Sequence, residues 1–106
     1  MKLWLDDLRP APDDSWLRCT NAFTAIRFLS GQMPKQEVIV EVSLDHDLGN
    51  EQENGTGYNV ISWIEERVHM DKKYTPPKIF IHTANPVAMK RMQAASQAID
   101  KAVSKR

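Results

Sequence analysis

Carboxylate and histidine side chains follow three short hydrophobic segments of this chain and could together perform metal or acid–base chemistry. Asp6 and Asp7 follow the first segment, residues 45–47 follow the second, and His82 ends the third. If these segments are parallel strands, their carboxyl ends meet at one edge of a sheet, where open α/β sheets bind ligands. Carboxylates brought this close together repel each other unless protons or a cation neutralise them. The spacing therefore predicts a site for a hard divalent cation.

The segment around Asp45 has the most specific pattern. Asp45 directly follows the β-branched run 38–44, where burial makes ionisation costly. Asp47 lies two residues further on, with His46 between the two acids and Gly49 closing the turn. A plain surface loop does not require this arrangement. Metal ligation or acid–base chemistry is the favoured interpretation.

Other residues near these segments could bind an anion or could have only a structural role. Thr83 and the helix start at Asn85 offer a hydroxyl and free backbone N–H groups, which can hold a phosphoryl oxygen or form a capping turn. Arg9 could bind phosphate through two hydrogen bonds or neutralise the acidic pair. His82 could take part in chemistry or be a buried histidine that donates to a backbone carbonyl. The acidic pair could likewise belong to a solvated turn.

Length and composition limit the class of protein. The 106 residues suit a single domain, residues 1–106, with its own hydrophobic core. Fourteen basic and fourteen acidic residues cancel, so we expect no bulk nucleic-acid binding, and any nucleotide would have to be held locally. The single cysteine, Cys19, excludes an intrachain disulfide and favours a cytoplasmic protein. We see neither a signal peptide nor an apolar stretch of about 20 residues, and therefore expect no membrane partner.

Hydrophobic patterning predicts the strands of the domain. Strands are expected over residues 2–5, 16–19, 38–44 and 79–81. The last two segments have the continuous hydrophobicity of strands that are buried on both faces.

Apolar residues at helical spacing predict three helices. The first covers 22–29, with Thr20 or Asn21 as its cap, and Gly31 and Pro34 end it. The second has its apolar face at 60–68, and the third starts at Asn85-Pro86 and runs to the basic end of the chain. Two prolines in the segment 8–15 disfavour a regular helix after the first strand. The glycine-containing segment 49–57 is expected to be a polar loop, at most a flexible lid.

Strands that alternate with helices predict a mostly parallel α/β sheet. Because no helix follows the first strand, we expect one face of the sheet to be poorly covered. Association into a homodimer through that face, or the last helix folding back, would then have to hide it.

The sequence resembles the receiver domain of response regulators. The resemblance depends on Leu5-Asp6-Asp7, on Leu44-Asp45 after a β-branched run, and on Thr83-Ala84 after residues 79–81. It implies a flavodoxin-like fold in which the paired acids and Asp45 hold Mg²⁺. It also implies phosphoacceptor chemistry at Asp45 and a phosphate-binding hydroxyl at Thr83. No residue corresponds to the lysine that ends the fifth strand of receiver domains.

A fuller set of motifs is similar to a divergent branch, the cyclic-phosphate-processing receiver-like domains of bacteria and their phages. These motifs are residues 4–10 (WLDDLRP), 43–49 (SLDHDLG), 57–58 (GY) and 82–86 (HTANP). The resemblance implies a reduced receiver-like α/β sheet with four mostly parallel strands in the order 2-1-3-4. Three helices and no regular helix after strand 1 complete this expectation.

The leading functional hypothesis is metal-dependent processing of a phosphoester, such as a cyclic phosphate on a nucleotide or an RNA end. Mg²⁺ or Mn²⁺ would polarise the phosphoryl group, and a histidine would transfer protons because its pKa is ordinarily about 6.5. Three groups of residues would act: metal ligands Asp6, Asp7 and Asp45; phosphate-binding residues Arg9, Thr83 and Asn85; and the proton-transferring histidines His46 and His82, with Asp47 orienting a histidine or the metal.

Two alternatives belong to other functional classes. The first is a phosphoacceptor or phosphate-sensing receiver without hydrolase activity, which stable labelling of Asp45 by a phosphodonor would favour. The second is a non-enzymatic interaction module, which could be encoded by a phage and bind a host component through the uncovered sheet face. Unchanged behaviour after neutralising the acidic residues of the site would favour the interaction module.

Overall fold

The computed structural model describes residues 1–31 and 37–106. The elements, in chain order, are β1 (Lys2–Leu5), β2 (Trp16–Cys19), α1 (Ala22–Leu29), β3 (Glu41–Leu44), α2 (Glu51–Asn54), α3 (Gly57–Met70), β4 (Lys78–Ile81) and α4 (Pro86–Ser104). The strands form one sheet in the order β2-β1-β3-β4, and every neighbouring pair is parallel. The predicted α/β receiver-like fold and its strand order are therefore confirmed.

Alternate residues of each strand point to opposite faces of this sheet. One side, the covered face, packs against the helices and is apolar; its residues are Leu3, Leu5, Leu17, Cys19, Val42, Leu44, Ile79 and Ile81. The other side, the open face, is polar and aromatic; its residues are Lys2, Trp4, Trp16, Arg18, Glu41, Ser43, Lys78 and Phe80. The expectation that one sheet face is poorly covered is confirmed.

Side-chain caps fix where the helices begin, as the sequence predicted for two of them. The Asn21 side chain accepts from the backbone N–H of Thr24 at the start of α1, and Asn85 caps α4 with Pro86 in its first turn. The cap of α1 at its other end is Ser30, followed by Gly31 with a positive φ of 73°. Pro34, the other predicted stop, lies outside the described residues.

The core lies between the covered face and helices α1, α3 and α4. Val60, Ile61 and Ile64 of α3 are fully buried, as are Met92 and, almost completely, Ile99 of α4. Because α4 packs against α3 and β4, it lies on the covered side and leaves the open face uncovered. No helix of the described residues has the length and hydropathy needed to cross a membrane.

The predicted limits of β3 are wrong. The hydrophobic run 38–44 suggested a longer strand, but β3 begins at Glu41, and Val38 and Val40 are 78% and 54% exposed. The neighbouring strands explain the difference, because their first residues, Lys2 and Lys78, pair with Glu41. Upstream of that row, the backbones of Val38 and Val40 still hydrogen-bond Met1 and Lys78, but the register pairs of the sheet stop.

Two further expectations need correction. β4 is an edge strand whose Phe80 is 41% exposed on the open face, so it is not buried on both sides. The segment 49–57, expected to be only a polar loop, contains the one-turn helix α2. Asn50 starts that helix by accepting a hydrogen bond from the N–H of Glu53, a local capping interaction that hydrophobic periodicity does not detect.

Candidate functional site

The carboxyl ends of β1, β3 and β4 lie side by side at one edge of the sheet. Their last residues are register partners, so Asp6, Asp45 and His82 follow at the same level. The N–H of Asp45 donates to the carbonyl of Leu5 over 2.9 Å, and the N–H of His82 donates to that of Leu44 over 3.0 Å. These bonds extend the ladder into the site. We call this region the carboxyl edge, and it comprises residues 6–9, 45–47 and 82–85.

Three carboxylates converge at the carboxyl edge. Asp6, Asp7 and Asp45 each place one oxygen so that all three lie within 4.8 Å of one another. Asp6 is completely buried and Asp45 is 9% exposed. The Oδ1 atom of Asp7 is buried and has no hydrogen-bond partner within the described part of the chain. A buried oxygen without a donor is costly, and a cation is the ligand that this donor set fits.

Asp6 is held by donors on both of its oxygens. The N–H groups of Leu8 and Arg9 donate to Oδ1 over 2.8 and 2.9 Å, while His82 Nε2 lies 3.1 Å and Arg9 Nε 3.5 Å from Oδ2. Burial alone would raise the pKa of Asp6, but the hydrogen bonds from Arg9, Leu8 and His82 together lower it below the usual value. Asp6 is therefore an ionised, oriented carboxylate.

Both ring nitrogens of His82 are engaged. Nδ1 lies 2.8 Å from the hydroxyl of Ser43, and Nε2 faces Asp6. Burial lowers the pKa of His82 below its ordinary value, although the Asp6 and Asp45 carboxylates act in the opposite direction. A neutral ring beside an ionised carboxylate must donate from Nε2 to Asp6, so Nδ1 accepts from Ser43. The ring also stacks on Trp4 with centroids 3.9 Å apart and an interplanar angle of 6°.

His46 has a different environment. Its Nδ1 lies 2.8 Å from Oδ1 of Asp47, and Asn85 Nδ2 donates to the other oxygen of Asp47 over 3.4 Å. The hydrogen bond from His46, helped by that from Asn85, lowers the pKa of Asp47 below its usual value despite partial burial. Asp47 is therefore an acceptor, and His46 donates to it from Nδ1. Within the described residues, the hydrogen bonds of the His46 ring engage only Nδ1, which leaves Nε2 without a partner.

The residues predicted to bind phosphate surround these two histidines. Arg9, with a 54% exposed side chain, donates to the carbonyl of His82 over 3.2 Å. Thr83 accepts the N–H of Asn85 at its hydroxyl oxygen over 3.2 Å, and Asn85 accepts the N–H of Ala88 at the start of α4. These contacts are the structural roles that the sequence also allowed. The Arg9 guanidinium and the Thr83 hydroxyl can each still donate a further hydrogen bond.

The first residue of helix α3 contacts the backbone of the carboxyl edge and fixes its position. The N–H of Gly57 donates to the carbonyl of His46 over 3.0 Å. A Cβ on Gly57 would lie 1.8 Å from the carbonyl oxygen of Asp45, so only glycine allows this approach. The predicted motif glycine thereby brings α3 against the backbone that carries Asp45 and His46.

Comparison with known families identifies the chain. A family model described as the cyclic-phosphate processing receiver domain matches residues 1–98. The chain belongs to this family. The search of curated proteins and the search of solved structures gave no match. The resemblance predicted from the motifs is therefore confirmed for this receiver family.

The structure gathers the predicted site residues into two connected groups. Hydrogen bonds and ion pairs connect Asp6 with Arg9 and His82, and Asp7 and Asp45 complete the carboxylate cluster. A second chain of contacts runs from His46 through Asp47 and Asn85 to Thr83. The N–H of His46 donates to Asp45 over 2.8 Å and joins the two groups. The chemical role of each residue stays a prediction.

Sequence reasoning missed Ser43, which holds His82. The residue is 5% exposed and lies on the open face, where His82 covers it. A signal was present, because Ser43 is a hydroxyl residue in the otherwise apolar end of the run 38–44 and lies two residues before Asp45. Side chains two apart on a strand share a face, but only the structure shows that a residue from β4 is its partner.

Proposed function

We propose that this member of the cyclic-phosphate processing receiver family processes a phosphoester at the carboxyl edge with the help of a divalent metal. A cyclic phosphate on a nucleotide or an RNA end is the proposed substrate. The observation that carries the proposal is the carboxylate cluster of Asp6, Asp7 and Asp45, in which one buried Asp7 oxygen has no donor among the described residues. The family name supports the substrate class.

The donor set suits Mg²⁺ or Mn²⁺. Asp6, Asp7 and Asp45 offer only carboxylate oxygens, the hard ligands that these ions prefer. His82 donates to Asp6 and so orients a ligand from outside the cluster, as hydrogen-bonded partners do in metal sites. When bound, the ion would polarise the phosphoryl group and favour ionisation of a water molecule.

Two residues are proposed to bind the phosphoryl oxygens. The guanidinium of Arg9 is partly exposed and carries N–H groups beyond those used for Asp6 and His82. Thr83 is 9% exposed at the N-terminal end of α4, where its hydroxyl proton and the helix N-terminus both favour an anion. Asn85 contributes indirectly, because its side chain already caps α4 and donates to Asp47.

His46 is proposed as the group that transfers protons. Asp47 accepts from Nδ1, which fixes the ring and leaves Nε2 to take up or release a proton. His82 is proposed as a positioning residue, because both of its nitrogens are already bonded to Ser43 and Asp6. The two histidines of the earlier hypothesis therefore receive separate roles.

A substrate panel tests the proposal. The purified chain is mixed with Mg²⁺ or Mn²⁺ and with nucleoside cyclic phosphates, linear phosphomonoesters and linear phosphodiesters, and product formation is followed by chromatography. We expect turnover of a cyclic phosphate that disappears with a chelator and in Asp45→Asn. The matched control is Asp100→Asn, an exposed carboxylate of α4, which should keep full turnover.

Three outcomes would contradict the proposal. Turnover that survives Asp45→Asn would exclude the carboxylate cluster as its site. Stable labelling of Asp45 by a small phosphodonor without turnover would support the phosphoacceptor alternative. A chain that turns over nothing and takes up no label would support the interaction-module alternative.

A further inference from the structure

We propose that the open face binds single-stranded nucleic acid, and that the phosphate-bearing end of the strand reaches the carboxyl edge. The second half of this statement rests on the proposed function, whereas the first half does not. It deepens that function by assigning a substrate class, an oligonucleotide end, in place of a free mononucleotide.

The aromatic side chains of the open face carry the first part of the argument. Trp4 and Trp16 lie side by side with ring centroids 5.7 Å apart, and Phe80 is 41% exposed on the edge strand. The helices pack on the covered side of the sheet, so Phe80 and the exposed parts of the two indoles remain accessible on the open face. Partly exposed rings along an open sheet provide surfaces on which successive bases can stack.

Cations alternate with these rings. Lys2 Nζ lies 4.6 Å from the centroid of Trp16, and Lys78 Nζ lies 5.3 Å from that of Phe80. Arg18 is exposed on the edge strand β2, where it is the register partner of Trp4. Basic groups interleaved with aromatic rings are the pattern that follows a phosphate backbone.

The local charge differs from that of the whole chain. Basic and acidic residues balance at fourteen each, yet the open face carries three cations, Lys2, Arg18 and Lys78, against the single acid Glu41. Asp13 also faces Lys2 from the loop before β2 and interacts with it electrostatically. Three cations against these two acids leave an excess of one positive charge, which favours an anionic partner.

The open face is continuous with the carboxyl edge. Trp4 stacks on His82, and its indole N–H donates to the carbonyl of Arg9 over 3.0 Å. Arg18 Nε donates to the carbonyl of Asp6 over 3.4 Å. A strand whose bases lie on the rings would thus place its terminal phosphate beside Arg9, where the proposed chemistry occurs.

The same charges disfavour a second copy of this chain as the occupant. A two-fold contact presents the same patch on both partners, so the excess positive charge of one copy would meet that of the other. Like charges brought together cost affinity. Homodimerisation through this face therefore becomes an outcome that would contradict the proposal.

The test measures binding without catalysis. A fluorescein-labelled oligoribonucleotide of about eight nucleotides is titrated with the chain in EDTA, and anisotropy is recorded at several salt concentrations. We expect saturable binding at low salt that weakens as salt increases, and much weaker binding of the same strand in a duplex. In Trp63→Phe, which removes the tryptophan beside Tyr74 on the helix side, the strand should quench the fluorescence of Trp4 and Trp16.

Two pairs of matched variants locate the contact. Phe80→Ala should weaken binding about five-fold or more, whereas Phe23→Ala, which removes a half-exposed ring on the opposite side, should not. Lys78→Ala should reduce the salt slope of the logarithm of the binding constant by about 0.7. Lys101→Ala, an exposed lysine of the last helix, should leave this slope unchanged.

The failure of this inference is distinguishable from failure of the proposed function. Turnover of cyclic mononucleotides with no oligonucleotide binding in EDTA would overturn the inference and leave the function standing. A dimer in solution that Phe80→Ala converts to monomer would also overturn it. Oligonucleotide binding that Phe80→Ala weakens supports the open-face assignment, even if no phosphoester is turned over.

Discussion

The two histidines of the carboxyl edge lie in contrasting environments, although each has an aspartate partner. On the His82 side, Asp6 and Ser43 occupy both ring nitrogens. On the His46 side, Asp47 has a 66% exposed side chain and binds only Nδ1, although the two rings are about equally buried, 16% exposed in His46 and 15% in His82. A ring bonded at both nitrogens can orient its neighbours, whereas a ring bonded at one nitrogen can also move a proton. The comparison therefore assigns positioning to the His82 side and proton transfer to the His46 side.

The largest effect expected from this comparison concerns His46. His46→Ala should lower turnover roughly 10²- to 10⁴-fold, the contribution typical of a general acid or base. Metal affinity should remain unchanged, because the histidine is not one of the clustered carboxylates. Turnover and Mn²⁺ binding are measured on the same preparation. A variant that keeps full turnover would contradict the assignment of proton transfer to His46.

The backbone that joins the two sides should be nearly as sensitive. Gly57→Ala places a Cβ 1.8 Å from the carbonyl oxygen of Asp45, and such overpacking should cost about 1–3 kcal/mol or more in the free energy of unfolding. It should also displace Asp45 and weaken metal binding.

The matched control for the Gly57 substitution is Gly31→Ala. At Gly31 no heavy atom of the described residues lies within 4 Å of a new Cβ, so only the strain of its positive φ is added, about 1–2 kcal/mol. Urea unfolding and metal titration compare the two variants. Equal losses of metal affinity would contradict a specific role for Gly57.

Substitutions on the His82 side should have smaller, graded effects on metal affinity and turnover. His82→Ala should lower metal affinity or turnover roughly 10- to 100-fold, as the loss of a hydrogen-bonded partner of a metal ligand does. Ser43→Ala removes only the hydroxyl that donates to His82 and should lower metal affinity or turnover by up to about ten-fold. If His82→Ala instead abolishes turnover without changing metal affinity, His82 transfers protons and the assignment of the two sides is reversed.

The smallest effect is expected at Cys19, which belongs to neither side. The residue is 2% exposed, and burial raises the pKa of its thiol to about 11. At pH 8 about one thiol in a thousand would then be ionised. Iodoacetamide should therefore modify Cys19 only after unfolding, and Cys19→Ala should keep its turnover. Rapid modification of the native chain with loss of turnover would contradict this expectation.

Much of the fold could be predicted from the sequence because parallel strands and amphipathic helices have local signatures. The strand order and the meeting of Asp6, Asp45 and His82 at one edge followed from the strand positions and the family motifs. The start of β3 could not be predicted, because it depends on where Lys2 and Lys78 begin to pair with it. Val38 is apolar and β-branched, so the local pattern predicted that it belonged to the strand.

The distinction between the two histidines could not be predicted from the sequence. Both follow strands and both lie near acids, so the sequence left His46 and His82 as equal candidates for proton transfer. What separates them is Ser43, a residue of β3 that meets a ring from β4. Contacts between residues 39 positions apart depend on register and rotamer, which hydrophobic periodicity does not encode.

Calorimetric titration with Mn²⁺ tests the central claim, that Asp6, Asp7 and Asp45 form a metal site. The wild-type chain is compared with Asp45→Asn and with the exposed control Asp100→Asn under identical buffer conditions. We expect saturable binding at a single site in the wild type and in Asp100→Asn, and its loss in Asp45→Asn. No binding by the wild type at millimolar Mn²⁺, or equal binding by Asp45→Asn, would contradict the metal site and with it the proposed chemistry.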